Sequence, residues 1–477
     1  MQAALEPFLT AHTNEDAWAV ASLLSPIAPP SDPGRLYDFY RASNEHMIEN
    51  DIRTALIYSR ASRLEPSEGS AWSEIFVNYW KVVGQILRAE EATNQGRSRD
   101  RQWVDVFDAW KTLTNSLLKH LERGNIRSWT MICMYHAAKD LRKFAIKADE
   151  QLATAKGNVT FNSGFQDDVV TSIPRNEMLE EAARVLNRMF RMCLSDRNPD
   201  MRESRKWGTY FMASLLFKTY FKLKAISLSQ SVVRSIEAMS DLPSFELYPK
   251  AHRVTYKYYV GVLAFLQEDY TKAEAYLTEA WEICYVGAKK NQQLILTYLI
   301  PCRLITKHAI PTPALLSPFP LLQSIFAPLV SCIKRGDLSG FDAALVAGEN
   351  QFVKRRIYLT LERGRDIAQR NLLRKVFLAG GYEELKEGQT EADRIRKTRI
   401  PLANFGAALR MGMGMDGDGS GQALEDDEVE CIVANMIYKV SAQRGAYKLS
   451  PFATLTHPPQ SSQMSSVAVC LAQLRLP

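Results

Sequence analysis

The sequence predicts a mainly α-helical chain, and three observations carry that prediction. Residues 67–173 contain no proline, so nothing over that span fixes φ or removes a helical donor. In residues 179–194 the apolar set Leu179, Ala182, Ala183, Leu186, Met189, Phe190, Cys193 and Leu194 follows the i, i+3, i+4, i+7 spacing of an amphipathic helix. Residues 273–284 repeat the spacing with Ala273, Leu277, Ala280, Trp281 and Cys284. Almost nothing before residue 400 alternates with the period of two that a half-buried strand requires.

Taken in order, residues 1–34 read as a short leading helix that ends in a turn set by Pro26, Pro29, Pro30 and Pro33. Residues 35–321 read as a body of helical hairpins, with breaks near 94–101 and 157–168, where polar residues and glycine gather. Tyr259, Gly261, Ala273 and Ala280 echo the large-and-small pattern of a tetratricopeptide helix pair, and Tyr58, Ala61 and Pro66 give a fainter copy. The body is therefore expected to be a degenerate hairpin stack resembling tetratricopeptide repeats.

The organisation changes near residue 322. Residues 322–334 predict a helix stopped by Gly336 in a left-handed conformation, with Asp337 capping the next helix. Residues 351–377 predict one or two helices, and 402–410 a short one. Asp427 to Val440 predicts an amphipathic helix whose acidic first turn suits its dipole. Residues 445–455 offer two short strands. Short helix, loop, longer helix and hairpin is the element order of a winged helix, placed at 401–459. The helical part before it spans 322–400, and a Ser/Gln-rich tail occupies 460–477.

Composition narrows the function classes. Hydrophobic residues make up 46% and charged residues 23% of 477 positions, ordinary for a globular chain. Lys plus Arg number 59 against 53 Asp plus Glu, a net charge of +6 that permits an acidic partner or nucleic acid without demanding one. The seven cysteines are widely spaced and form no CxxC, so buried free thiols in a reducing compartment are expected rather than disulfides or zinc. The first residues lack a basic, apolar leader, and no secretory signal is expected. Residues 309–333 carry no charge over 25 positions, yet five prolines there argue for a buried, kinked connector and against a membrane span.

Catalytic patterns fail one by one. There is no Gly-Lys dipeptide for a phosphate-binding loop, no HExxH, no His-x-His and no GxSxG. No enzymatic activity, no cofactor and no metal are expected. Asp416, Asp418, Ser420, Gly421 and Asp427 imitate a calcium loop, but Asp at its twelfth position and Ala423 at its eighth favour a solvated acidic loop. Basic clustering has more content. Residues 354–375 hold Lys354, Arg355, Arg356, Arg363, Arg365, Arg370, Arg374 and Lys375 against Glu362 and Asp366, and Lys397 and Arg399 follow. Such a set can neutralise phosphates or an acidic peptide. It can equally pair within the chain, since residues 416–430 hold seven carboxylates and no base.

Two stretches carry a family resemblance. Lys334-Arg335-Gly336-Asp337-Leu338 with Phe341, then Leu372-Leu373-Arg374-Lys375-Val376-Phe377, resembles the helical half of a PCI domain. Ile400-Pro401-Leu402 with Phe405, then Asp427-Glu428-Val429-Glu430-Cys431-Ile432, resembles its winged helix. The nearest pattern is the branch of the COP nine signalosome subunit-twelve homologues and the PCI subunit of the TREX-two mRNA-export complex. The resemblance implies a non-catalytic scaffold, found in nucleus and cytoplasm, that joins other PCI-domain subunits and holds a small acidic subunit. The signalosome reading implies support of cullin deneddylation. The export reading adds RNA or DNA as a partner and implies contacts at Lys397, Arg399, Lys439, Arg444 and Lys448, beside the cluster Lys354, Arg355 and Arg356. The resemblance as a whole also implies a subunit interface on Val429, Ile432, Val433, Met436 and Ile437, residues that must equally pack the domain's own core. The chain departs from the family pattern at Pro451, which removes a ladder donor, so the expected wing is either edge-like or misformed.

Overall fold

A computed structural model describes residues 1–58, 64–96, 101–157, 176–384, 397, 400–414 and 424–443. The chain divides into two compact units, Met1–Leu263 and Ala264–Pro477.

The first unit runs through α1 (Gln2–Thr13), α2 (Ala17–Leu23), α3 (Arg35–Arg41), α4 (Ile48–Arg53), α5 (Pro66–Asn94), α6 (Gln102–Glu122), α7 (Met131–Gly157), α8 (Glu177–Leu194), α9 (Thr209–Lys222) and α10 (Ile226–Glu237). Helix α11 (Lys250–Leu266) carries the chain out of it. Two leading helices stand where one was expected. Glu15 takes a left-handed φ of 51°, and the Asp16 carboxylate then caps α2 by accepting from the Trp18 and Ala19 amides. The break after α6 also fell outside the sequence reading, although Gly124 at φ 72° supplies it.

Long helices form here because their apolar residues recur on one side. Helix α5 buries Trp72, Ile75, Phe76, Tyr79, Val83 and Ile86, and α6 buries Phe107, Trp110, Leu113, Leu117 and Leu121. Each such side chain contributes about 1.5–3 kcal/mol on burial. Polar groups then fix which helix meets which. Trp110 Nε1 donates to the Ala137 carbonyl of α7 at 2.9 Å. Lys119 Nζ and His120 Nε2 reach Glu74 of α5 at 2.8 and 2.9 Å. Lys111 Nζ crosses from α6 to Glu181 of α8 at 2.7 Å. The first turn of α8 is capped from α7, where Asp149 accepts from the Met178 and Leu179 amides at 3.1 and 3.0 Å. The predicted face of α8 is the buried one, Leu179 through Cys193.

The second unit continues with α12 (Tyr270–Ile283), α13 (Lys289–Lys307), α14 (Pro313–Leu316), α15 (Pro320–Arg335), α16 (Leu338–Ala347), α17 (Glu349–Arg355), α18 (Tyr358–Glu362), α19 (Gly364–Ala379), α20 (Leu402–Met413) and α21 (Asp426–Gln443). Glu274 of α12 accepts from Thr306 Oγ1 at 2.7 Å and pairs with Lys307 at 2.6 Å, tying α12 to α13. The uncharged stretch becomes α14 and α15, whose Leu322, Phe326, Leu329 and Ile333 are buried, and Pro328 is carried within α15. Among the described residues no helix is long and apolar enough to cross a membrane.

The corner after α15 forms as the sequence predicts. Gly336 adopts φ 72°, and the Asp337 amide donates to the Cys332 carbonyl at 3.0 Å, closing the helix end. Asp337 Oδ1 then accepts from the Gly340 amide at 2.7 Å and starts α16. A Cβ at 336 would lie 2.8 Å from the Leu372 Cα, so glycine also lets α19 approach. Leu338 and Phe341 are fully buried beside it. Residues 351–377 contain parts of three helices rather than one or two. Arg356 turns left-handed at φ 58° between α17 and α18, a break that an arginine does not announce. The two expected strands and the wing lie outside the described residues.

Candidate functional site

The basic cluster is positioned by two buried anchors. Phe352 near the end of α17 and Ile357 before α18 are 1% and 0% exposed, and they pin the chain on either side of Lys354, Arg355 and Arg356. With the anchors turned inward, Lys354 and Arg356 face solvent, and Arg355 is half-buried. Arg355 Nη1 donates to the Gln351 carbonyl and to its Oε1 at 2.9 and 2.6 Å. Arg356 and Arg355 also lie close enough to Tyr298 to work against the burial that raises its hydroxyl pKa.

The eight basic residues do not act as one surface. Arg363 Nη2 pairs with Glu268 at 2.7 Å, an interaction that raises the guanidinium's affinity for its proton. Arg365 Nε pairs with both oxygens of Asp342 at 3.0 Å. Lys375 Nζ donates to the Arg335 carbonyl at 3.0 Å, closing the end of α15. Among the described residues Lys354, Arg356 and Arg374 form no ion pair. They are the part of the cluster open to a partner. Beside them Val353 and Leu359 are 55% and 69% exposed, apolar flanks that the sequence reading missed. The signal was available, because both fall off the period marked by Phe352, Ile357 and Leu361.

Helices α20 and α21 form the second candidate. Helix α20 packs against α21, and Phe405 and Leu409 of α20 are buried, as are Val429, Val433 and Met436 of α21, which are 0%, 3% and 7% exposed. Those three candidate interface side chains lie in the interior of their own unit. Ile432 and Ile437 are half-buried, and Met411 and Tyr438, each 72% exposed, are the large apolar groups that face out. The acidic turn at Asp426, Asp427 and Glu428 is as expected, and Glu428 Oε2 accepts from the Glu425 amide at 3.3 Å. Among the described residues these carboxylates pair with none of the basic cluster.

Lys397 is exposed, with its amide donating to the Gly381 carbonyl at 3.2 Å. Lys439 belongs to α21, but its side chain lies outside the described residues, as do Arg399, Arg444, Lys448 and the calcium-like loop at 416–423. Among the described residues five cysteines are buried free thiols and Cys431 is exposed. Burial pushes Cys133, Cys193 and Cys302 up to about 12, so these thiols stay protonated and unreactive at neutral pH.

No protein-family model matches the chain. Individual relatives do. A CSN12 homolog from Neurospora crassa is 45% identical over 462 residues, covering 94% of this chain and 98% of that protein. The CSN12 homolog of Schizosaccharomyces pombe is 34% identical, covering 79% of each chain. PCI domain-containing protein 2 from Xenopus laevis is 34% identical over 341 residues, covering 71% of this chain and 74% of its own. Identity of this extent, together with a helical body, the Gly336–Asp337 corner and the α20–α21 pair, shows that the chain belongs to the PCI-domain family of CSN12 homologues and PCI domain-containing protein 2.

Proposed function

We propose that the chain is a non-catalytic scaffold subunit of a multi-subunit complex of the signalosome type, which supports removal of the ubiquitin-like modifier from cullins without performing the chemistry. The observation that carries this reading is the surface at Lys354 and Arg356. Two uncompensated cations flanked by exposed Val353 and Leu359 suit an acidic chain with apolar anchors, as a small acidic subunit would present. Other PCI-domain subunits are the expected neighbours, with Met411 and Tyr438 as exposed apolar contacts. Nucleus and cytoplasm are the proposed locations. Purifying the tagged protein and identifying its companions by mass spectrometry tests the reading. Cullin-directed isopeptidase subunits and a small acidic chain are expected, and a preparation free of PCI-domain companions overturns it.

The second reading is a TREX-like subunit that contacts nucleic acid during transcription-coupled mRNA export or splicing. The same uncompensated cations favour it, since Lys354, Arg356 and Lys397 are all solvent-facing. Reversing Lys397 and Arg399 to Glu should then weaken binding of a single-stranded oligonucleotide. The slope of log affinity against log salt should fall by about 0.7 for each lost phosphate contact. Unchanged affinity and slope count against this reading.

A further inference from the structure

Helix α5 contains a glycine with a specific task. A Cβ at Gly84 would lie 2.5 Å from the Tyr40 ring, so only glycine lets that ring settle on the helix. The ring then stacks on Trp80, with centroids 4.7 Å apart and planes 23° apart. Trp80 Nε1 donates to the Tyr40 carbonyl at 3.0 Å, which holds the end of α3 against α5. Trp80 is 5% exposed, while Tyr40 is half-buried and lines a cleft of about 360 Å³.

The rest of that cleft is polar. Lys81, Gln85 and Arg88 rise along one face of α5 at helical spacing, and Arg41 and Asn44 face them from the end of α3 and the turn after it. Among the described residues Arg41, Lys81 and Arg88 form no ion pair, and Glu45 is the one carboxylate in the lining. The cleft thus combines an aromatic platform, the Gln85 carboxamide that both donates and accepts, the Asn44 amide nitrogen as a further donor (its Oδ1 accepts from the His46 and Met47 amides at 3.2 and 3.0 Å), and a surplus of positive charge. Cations alone would suit any phosphate. The platform and the amides match a heterocyclic base as well, because base stacking and edge hydrogen bonds need those groups. The volume lies in the range of small-ligand sites.

We propose that this cleft binds a nucleoside phosphate, with the base against Tyr40 and within reach of Asn44 and Gln85, and the phosphate held by Lys81, Arg88 and Arg41. The ligand is either a free nucleotide or one nucleotide of a single strand, and the chemistry of the site is shared by both.

Calorimetric titration of the full chain with ADP, with ribose 5-phosphate and with a ten-residue single-stranded oligoadenylate tests this. ADP or the oligonucleotide should bind saturably, and ribose 5-phosphate at least tenfold more weakly. Lys81→Glu combined with Arg88→Glu should weaken the bound probe at least tenfold while the melting temperature holds. Tyr40→Leu should do the same, and the charge-reversal pair keeps the test valid if that variant unfolds. Lys354→Glu with Arg356→Glu should leave ADP affinity unchanged, which separates this cleft from the scaffold surface. Binding of ADP identifies a free nucleotide, and binding of the oligonucleotide alone identifies a strand. The proposal is overturned if neither binds, if ribose 5-phosphate binds as tightly as ADP, or if the Lys81 and Arg88 reversals change nothing.

Discussion

The packed seams between α5, α6 and α7 and the α17–α18 segment use charge in opposite ways. Helices α5, α6 and α7 are 29, 21 and 27 residues long, and charged groups between them are spent on alignment, as Glu74 is by Lys119 and His120. Helices α17 and α18 have 7 and 5 residues and hang on Phe352, Ile357 and Leu361. A segment held by so few anchors has little interior in which a cation can be answered, so Lys354 and Arg356 remain at the surface. Where long helices meet, their polar residues become registry, and only an outer face such as that of Lys81 and Arg88 on α5 stays free, whereas the short anchored helices leave Lys354 and Arg356 free beside their own anchors.

The sharpest way to break the comparison is in the long-helix core. Trp110→Ala removes a side chain that is 1% exposed and its hydrogen bond to α7, and should cost about 3–5 kcal/mol in urea unfolding. A loss below about 1 kcal/mol would mean the α6–α7 contact is not a foundation of that unit. Next comes Gly336→Ala, which forces a Cβ into a left-handed residue and against the Leu372 backbone. A loss of about 2 kcal/mol or more is expected, of which the backbone conformation accounts for about 1–2. Wild-type stability in this variant would show that the corner can relax.

Two buried carboxylates of the first unit should answer pH with opposite signs. Burial works to raise Asp196, but the Arg205 amide, the Ser204 hydroxyl and the Arg205 guanidinium outweigh it and hold it below its ordinary 3.8. The unfolded chain therefore takes up that proton first. The stability Asp196 supplies is present above about pH 4 and is lost as pH falls through its folded value. Asp149 is raised instead, because burial exceeds the help of its two amide donors and Glu177 and Glu180 lie nearby. Its folded form protonates more readily than the unfolded one, so acidification relieves its cost. Melting curves from pH 3 to 7 should show Asp196→Asn losing its penalty toward low pH, and Asp149→Asn costing less than Asp196→Asn at pH 7. Identical profiles would refute the contrast. The smallest effect belongs to Lys354→Glu with Arg356→Glu, whose melting should stay within about 0.5 kcal/mol of wild type. A larger loss would mean that these cations serve the fold.

The corner at Gly336 and Asp337 was legible because both residues are local signals, a glycine for positive φ and a carboxylate for the cap. The face of α8 was legible because its period is regular. The stops at Glu15 and Arg356 were not, since residues with side chains rarely adopt φ 51° or 58° and do so here under tertiary constraint. Within the basic cluster the residue types were visible but their commitments were not. Arg363 finds Glu268, which is 95 positions away, and Arg365 finds Asp342 across 23. No local pattern encodes those distances.

The links from α6 to α8 have a consequence for how this protein comes apart. Lys111 meets Glu181 and Glu122 meets Arg188, so α6 touches not only its successor but the helix after that. A stack with contacts between neighbours alone can fray from either end. One laced across a helix must surrender three members together, and its unfolding front should stall at that stitch.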